Sequence, residues 1–402
     1  MSKDLFDKFR FLKDGVAGLK TMGGDPFSVT MEAVTSPTEA VIDGKPTVLF
    51  GTNNYLGLTF DPVAQEAAID AIRTAGVGTT GSRVANGTYH VHKELERVVA
   101  RFMKRDKAMV FTTGYQANLG FLSGVVGRDE YILIDGDSHA SIYDACKMSD
   151  ATVIRFRHND MADLERKLVK LGAEDRNKLV VVEGIYSMLG DRAPLREVAA
   201  LTQKYNAYLA VDEAHSLGVL GENGRGLAEE VGVEDQVDFV LGTFSKSVAT
   251  IGGFCVSNHP DLDVLRMACR SYLFTASLPP SIAATAMATL QIMEERPELR
   301  QRLRANTEAF YGGLAKMGYA LGPEPNPVVA VKLPGLEALM SAWRGLLDRG
   351  IYVNLAMPPA TPANTYLLRC SVCAAHTPAQ IDRAMVAFAD LKHHMNIVAA
   401  AE

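Results

Sequence analysis

Polar residues in this 402-residue chain gather directly after short apolar runs. Thr243-Phe244-Ser245-Lys246 follows Phe239 to Leu241, Asp212 to His215 follows Tyr208 to Val211, and Glu183 to Ser187 follows Leu179 to Val182. Asp135 to His139 follows Tyr131 to Ile134, and Thr113-Gly114-Tyr115 follows Ala108 to Phe111. A lysine amine at the end of a buried strand can lose its proton and form a Schiff base; for Lys246 the plain alternative is an exposed loop lysine. Asp212, three residues before His215, is a carboxylate able to keep a ring nitrogen protonated, and the same pair also suits a turn or half a metal site. His139 offers a flat ring for stacking, or is a surface histidine. Gly114 and Tyr115 open a helical stretch, Gln116 to Val125, whose first amides suit a phosphate, with the hydroxyls of Thr243 and Ser245 beside it. Taken together these residue types match what pyridoxal phosphate needs: an amine, a partner for the pyridine nitrogen and an anion cup.

Such a set has to be positioned by strands covered on both faces. The runs are rich in Val and Ile, continuous rather than alternating, which predicts a mostly parallel sheet, with Phe254 to Val256 as a last candidate strand. Met161 to Leu171 and Pro194 to Tyr205 read as crossover helices, and ligands of such sheets collect outside the carboxyl ends of the strands. After Pro279-Pro280 the pattern changes to helical stretches until about Gly318, strand-like Val328 to Leu333, a helix from Leu336 to Arg349 and strand-like Ile351 to Asn354. A capping box, Thr377 with Pro378 and Gln380, starts the last helix. The expected organisation is α/β: a segment 1–45 packing near the smaller domain, a large α/β domain 46–290, and a C-terminal α+β domain 291–402.

Forty-one basic against 47 acidic residues, a net charge of −6, leave no basic face for nucleic acid. No apolar run reaches the roughly 18 residues of a membrane span, and Met1 to Lys20 lacks a signal-peptide core, so a cytoplasmic chain is expected. Five cysteines read as reduced thiols. Cys370, Cys373 and His376 invite a zinc reading, but a closed site needs four ligands and Cys370 lies in the apolar run Tyr366 to Cys373; core thiols and no metal are expected. Gly76 to Gly81 fits the dinucleotide fingerprint but follows a helical stretch, Pro62 to Thr74, where the fingerprint requires a strand. A flexible loop that another subunit or a substrate approaches is the better reading. Arg101 to Lys107 reads as a solvated helix end.

The runs GTNNYLGL (Gly51 to Leu58), GTTGSRVANGT (Gly78 to Thr88), TTGYQAN, DSHAS, VDEAHSLGVLG and GTFSKS resemble the α-oxoamine synthases, pyridoxal-phosphate enzymes of aminotransferase fold type I. The resemblance runs from about Asp25 to Thr377 and implies condensation of a small amino acid with an acyl-CoA, with loss of carbon dioxide. Leu189 stands where glycine- and alanine-using members usually have Asp, and HASIYDACK, CRSYLFTASLPP, MPPATP and LLRCSVCAAHTPAQ are similar to the bacterial branch that joins L-serine to a long-chain acyl thioester. Two other members remain rivals, 2-amino-3-oxobutyrate ligase and 8-amino-7-oxononanoate synthase, as does a catalytically silent binding subunit. The resemblance implies that Lys246 binds the cofactor covalently, Asp212 pairs with its ring nitrogen, His215 contacts its ring hydroxyl and His139 stacks on the ring. Gly114, Tyr115, Thr243 and Ser245 would hold the phosphate, with Thr275 reaching in from the partner of a homodimer whose active site lies at the subunit interface. Asn54, Tyr55 and Ser187 would line the substrate side, and Arg369 would clamp the serine carboxylate. Similar chains can carry Arg immediately before the PPATP segment, where this one has Met357. Transient contact with a membrane surface is left open.

Overall fold

The apolar runs become strands because burial on both faces removes them from water together. In the computed structural model, which describes residues 4–358 and 360–395, they are β1 (Lys107–Phe111), β2 (Tyr131–Asp135), β3 (Thr152–Phe156), β4 (Lys178–Glu183), β5 (Tyr208–Asp212), β6 (Phe239–Thr243) and β7 (Gly253–Ser257). They form one sheet in the order β1-β7-β6-β5-β4-β2-β3. The run from β3 to β6 is parallel, whereas β7 is antiparallel to both β6 and β1. Only a short loop joins β6 to β7, too short for the crossover of about a dozen residues that a parallel return needs. Every residue of β4 is buried, whereas β3 buries only Phe156. That edge position explains why β3 gives no apolar run and is missed from sequence.

The sheet's carboxyl ends present Asp135, Glu183, Asp212 and Thr243 along one edge. Behind them, helices α1 (Gly114–Val125) and α2 (Ala140–Met148) contribute Phe121, Leu122, Ile142 and Ala145 to a core shared with Met109, Ile132, Leu179 and Leu241. The predicted crossover helices form at Met161–Leu171 and Leu195–Lys204. The first begins at Asp160, whose side chain accepts from Asp163 N–H, the capping geometry that relieves an orphan donor.

By contacts the chain divides into one unit of residues 53–187 and 191–303, which holds this sheet, and another of 1–52, 188–190 and 304–402. The expected divisions lay at 45/46 and 290/291. The second unit has a four-stranded sheet, which includes Lys45–Leu49 and Ile351–Tyr352, and a three-stranded one built from Val328–Leu333, Tyr366–Ser371 and Asn354–Ala356. The single strand expected at Ile351 to Asn354 is therefore corrected: the chain leaves one sheet at Tyr352 and enters the other at Asn354. The capping box forms, with Gln380 N–H on Thr377 Oγ1 at 3.3 Å and Thr377 N–H on Gln380 Oε1 at 3.0 Å.

A second correction concerns Arg101 to Lys107. Helix His90–Phe102 ends inside this stretch, and Arg105 is buried, donating to Glu234 O at 2.6 Å and Val237 O at 3.3 Å. A charge run in sequence does not reveal that backbone carbonyls from a distant loop await one of its members. Cys370 and Cys373 are buried, and His376 accepts from Cys373 N–H at its Nδ1 while its Nε2 meets Leu49 O at 3.0 Å. Both imidazole nitrogens are thus used by backbone, and burial lowers the pKa of His376 to about 4.

Candidate active site

A cavity of about 240 Å³ opens at the carboxyl ends of β5 and β6, and its wall is made by Thr113, Gly114, Tyr115, Asn118, His139, Glu183, Asp212, His215, Thr243, Ser245 and Lys246, among others. Its anion end comes from two elements. Thr113 caps α1 by accepting from Gln116 N–H at 3.0 Å, which leaves the amides of Gly114 and Tyr115 at a helix N-terminus, where backbone donors and the helix dipole both favour an anion. Opposite them Thr243 Oγ1 and Ser245 Oγ lie 2.7 Å apart. Glycine is needed at 114, because a Cβ there would come within 2.7 Å of Thr243 Cβ. The Tyr115 hydroxyl bonds Asp144 instead of the cavity, so its backbone amide is the group placed to serve a phosphate.

Asp212 forms the floor. Its Oδ2 accepts from Asn118 Nδ2 at 2.7 Å and its Oδ1 from Ala214 N–H at 2.9 Å. Asn118 also donates to Ser141 Oγ at 2.9 Å, so one amide ties α1, α2 and β5 together. His215 is buried, with Nδ1 2.7 Å from the hydroxyl of fully buried Tyr55. His139 caps α2, its Nδ1 accepting from Ser141 N–H at 3.2 Å, which leaves Nε2 to carry the proton of a neutral ring. Burial lowers its pKa, Asp212 works the other way and the charge of Lys246 adds to the lowering. Glu183 accepts the His139 N–H, and burial beside Asp212 raises its carboxyl well above the usual range. Lys246 follows the fully buried Phe244 and is itself half-buried.

Of the residues singled out from sequence, Gly114, Tyr115, His139, Asp212, His215, Thr243, Ser245 and Lys246 line this one cavity. Asn54, Tyr55, Ser187 and Thr275 do not. Tyr55 instead backs His215, and Asn54 donates to Thr59 Oγ1 at 2.8 Å within its own loop. Thr275 accepts from Gln116 Nε2 at 3.3 Å. Arg369 belongs to the other unit, on Tyr366–Ser371, where it is buried and its Nη1 donates to Ser371 Oγ at 3.2 Å. Sequence reasoning gave no role to Asn118 or Glu183. Asn118 was findable: one helical turn beyond Gly114, it shares that residue's face of α1.

The donor set fits pyridoxal phosphate: an amine, a carboxylate held by the N–H donors of Asn118 and Ala214, a flat neutral imidazole, and a helix N-terminus with two hydroxyls. The family model for class I and II aminotransferases matches residues 45–388. The chain belongs to that family, in its α-oxoamine synthase group. It is 54% identical to a serine palmitoyltransferase of Caulobacter vibrioides, over 98% of each chain. It is also 51% identical to the serine palmitoyltransferase of Sphingomonas paucimobilis, over 96% of this chain and 92% of that one. A solved structure described as SPT with PLP internal aldimine superposes with a TM-score of 0.96 at 51% identity, covering 98% of this chain and all of that one. Among the described residues no helix is long and apolar enough to cross a membrane.

Proposed function

We propose that this protein is a pyridoxal-phosphate enzyme that condenses L-serine with a long-chain acyl thioester, palmitoyl-CoA, to give 3-oxosphinganine, coenzyme A and carbon dioxide. The observation that carries the reading is Lys246 in one cavity with Asp212 and a phosphate cup, in a chain 54% identical to a serine palmitoyltransferase over 98% of its length. Pyridoxal phosphate, when bound, supplies an electron sink for the negative charge that develops at the serine Cα.

Lys246 would hold the cofactor through its Nζ, and as a free amine it would take the Cα proton and later return it. Asp212, its carboxylate fixed by Asn118 and Ala214 N–H, would keep the cofactor's ring nitrogen protonated. His139 would pack against the cofactor's ring, and His215, braced by Tyr55, would bond its hydroxyl. The Gly114 and Tyr115 amides with the Thr243 and Ser245 hydroxyls would bind the phosphate. Arg369 is assigned to the serine carboxylate, and Asn54, Tyr55 and Ser187 to the substrate side. A homodimer is part of the reading: Phe274, next to Thr275, is 75% exposed and Met267 70%, an apolar surface that a second copy would cover while bringing its Thr275 to the site.

The test is product mass and turnover with serine, glycine and alanine against a series of acyl thioesters. Serine with palmitoyl-CoA should give the 3-oxo amino alcohol. A preference for glycine or alanine would transfer the protein to one of its sister activities, and a preparation that takes up no cofactor would make it a silent subunit.

A further inference from the structure

Three segments of the unit that holds the main sheet meet at His158, which the chemistry above does not use. His158 lies two residues beyond β3, with its Nδ1 2.8 Å from Asp135 Oδ1 and its Nε2 2.6 Å from Asp191 Oδ2. A neutral imidazole has one N–H and one lone pair, so only an imidazolium donates to both carboxylates. Asp135 ends β2 and is fully buried; Asp191 ends the loop that leaves β4 and is buried too. Asp191 Oδ1 has no hydrogen-bond partner, so the carboxylate is hydrogen-bonded through Oδ2, which also accepts from Asn159 Nδ2 at 3.0 Å. Asn159 N–H reaches the other oxygen of Asp135 at 2.9 Å.

The loop held in this way starts at Gly184 and carries Ser187. Its base is closed by Tyr186 N–H on Asp191 O at 2.8 Å and by a bridge between Ile185 and Arg192. Ser187 is the first residue past that closure, and the His158 and Tyr186 rings meet at right angles, 4.6 Å between centroids. At the other side Asp135 accepts from Asp137 N–H at 2.8 Å, in the turn that leads to His139.

We propose that His158, as an imidazolium spanning Asp135 and Asp191, is a positioning residue that fixes the Ser187 loop and the His139 turn relative to one another. The inference rests on the reading of Ser187 as a substrate-side residue. Burial works against the charge on His158, but the hydrogen bonds and charges of Asp135 and Asp191 outweigh it and push its pKa up to about 10. Among the described residues, other titratable groups facing the cluster include Asp137, whose carboxyl burial raises while the charge of His158 and, less, that of Arg155 oppose it, and the Tyr186 phenol, which burial raises. Without His158, two buried carboxylates would lack the cation between them, a costly arrangement.

The experiment uses cofactor-loaded enzyme, wild type, His158→Gln, Asp191→Asn and the double variant. His158→Gln should raise the serine KM by about tenfold, the scale of a lost hydrogen bond to a charged group, while the thioester KM stays within about twofold. Asp191→Asn added to it removes the unpaired charge and should recover part of that loss. Independently of turnover, ¹⁵N-histidine spectra of wild type should show both His158 nitrogens protonated at pH 8. A neutral His158 at pH 8, equal losses for serine and thioester, or no recovery in the double variant overturns the inference while wild type remains active. A wild type that does not consume serine overturns the functional reading and the Ser187 role with it.

Discussion

The two ends of one sheet carry the same kinds of residue to opposite effect. At the carboxyl ends of β5 and β6, Lys246 shares a polar cavity with Asp212, His139 and Glu183. At the amino ends, Lys178, Tyr208 and Phe239 line a larger cavity, of about 350 Å³, with Leu179, Leu262 and His259. Lys178 is more deeply buried than Lys246, at 1% exposure. Its Nζ, however, donates to Asp175 O and to Asn177 Oδ1, and the nearby Arg176 stacks 3.9 Å above Tyr208 while pairing with Asp238 at 2.6 Å. Burial alone therefore does not make a lysine chemical; the company does. The asymmetry follows from the α/β architecture, because helices after parallel strands begin at the carboxyl edge and present their positive ends there. Anion binding and tuned carboxylates belong to that edge, while the other edge is left to packing and local ion pairs.

The largest expected effect separates the two lysines. Lys246→Ala should lower turnover by about a thousandfold or more, roughly 4 kcal/mol of barrier, and still bind the cofactor non-covalently. Lys178→Met should leave turnover within about twofold and act on melting temperature instead. Near-wild-type turnover in the first, or collapse of turnover in a folded second, would erase the distinction between the edges.

Asp212→Asn comes next. A neutral amide cannot stabilise a protonated ring nitrogen, so turnover should fall by more than about tenfold, at least ~1.4 kcal/mol. Exchange of the serine Cα proton in deuterated water measures the step directly; an unchanged exchange rate removes Asp212 from it.

Smaller effects are expected from cations outside the sheet. Met357→Arg should tighten serine by about threefold to tenfold if a guanidinium there reaches the carboxylate, less than a fully buried charged contact would give. Arg369→Ala should weaken serine, and less so in the Met357→Arg background. Strictly additive titrations would mean that the two positions never share the carboxylate.

The smallest effect is on stability. Glu213, beside Asp212, accepts Leu227 and Ala228 N–H at 2.9 and 3.0 Å, yet full burial raises its pKa to about 7. A carboxyl raised above its unfolded value near 4.5 favours the fold at low pH, and that contribution is lost as pH rises from 4.5 through 7. Melting of wild type relative to Glu213→Gln should thus drop by about 2–4 °C between pH 5 and pH 8. A parallel pair of melting curves across that range would mean Glu213 keeps one protonation state.

The lining of the polar cavity was legible because its residues follow continuous apolar runs, which mark buried strands, and because a parallel sheet sends all its carboxyl ends to one edge. Lys246, Asp212, His215 and His139 need no long-range information beyond that rule. Asn118 carried only a positional signal, one helical turn beyond Gly114 on the same face of α1; its bonds to Ser141 and Asp212 depend on how α1, α2 and β5 pack. Glu183 was visible as a strand-terminal acid, but its task of holding His139 N–H depends on the β2 and β4 pairing. The edge strand β3 was hidden for the opposite reason, since a strand with a solvated face need not be apolar.

What the sequence by itself determined is the chemistry and its order along the chain: which strand ends carry an amine, an acid, imidazoles and hydroxyls, and which helix opens with Gly114. Local periodicity and capping encode these, and neither depends on distant partners. Only the tertiary structure decided which of them share a cavity, that Tyr55 braces His215, that Arg105 is buried, and that His158 bridges Asp135 and Asp191. These are contacts between residues tens to hundreds of positions apart, and their existence rests on strand order and loop packing, which no local pattern of residue types specifies.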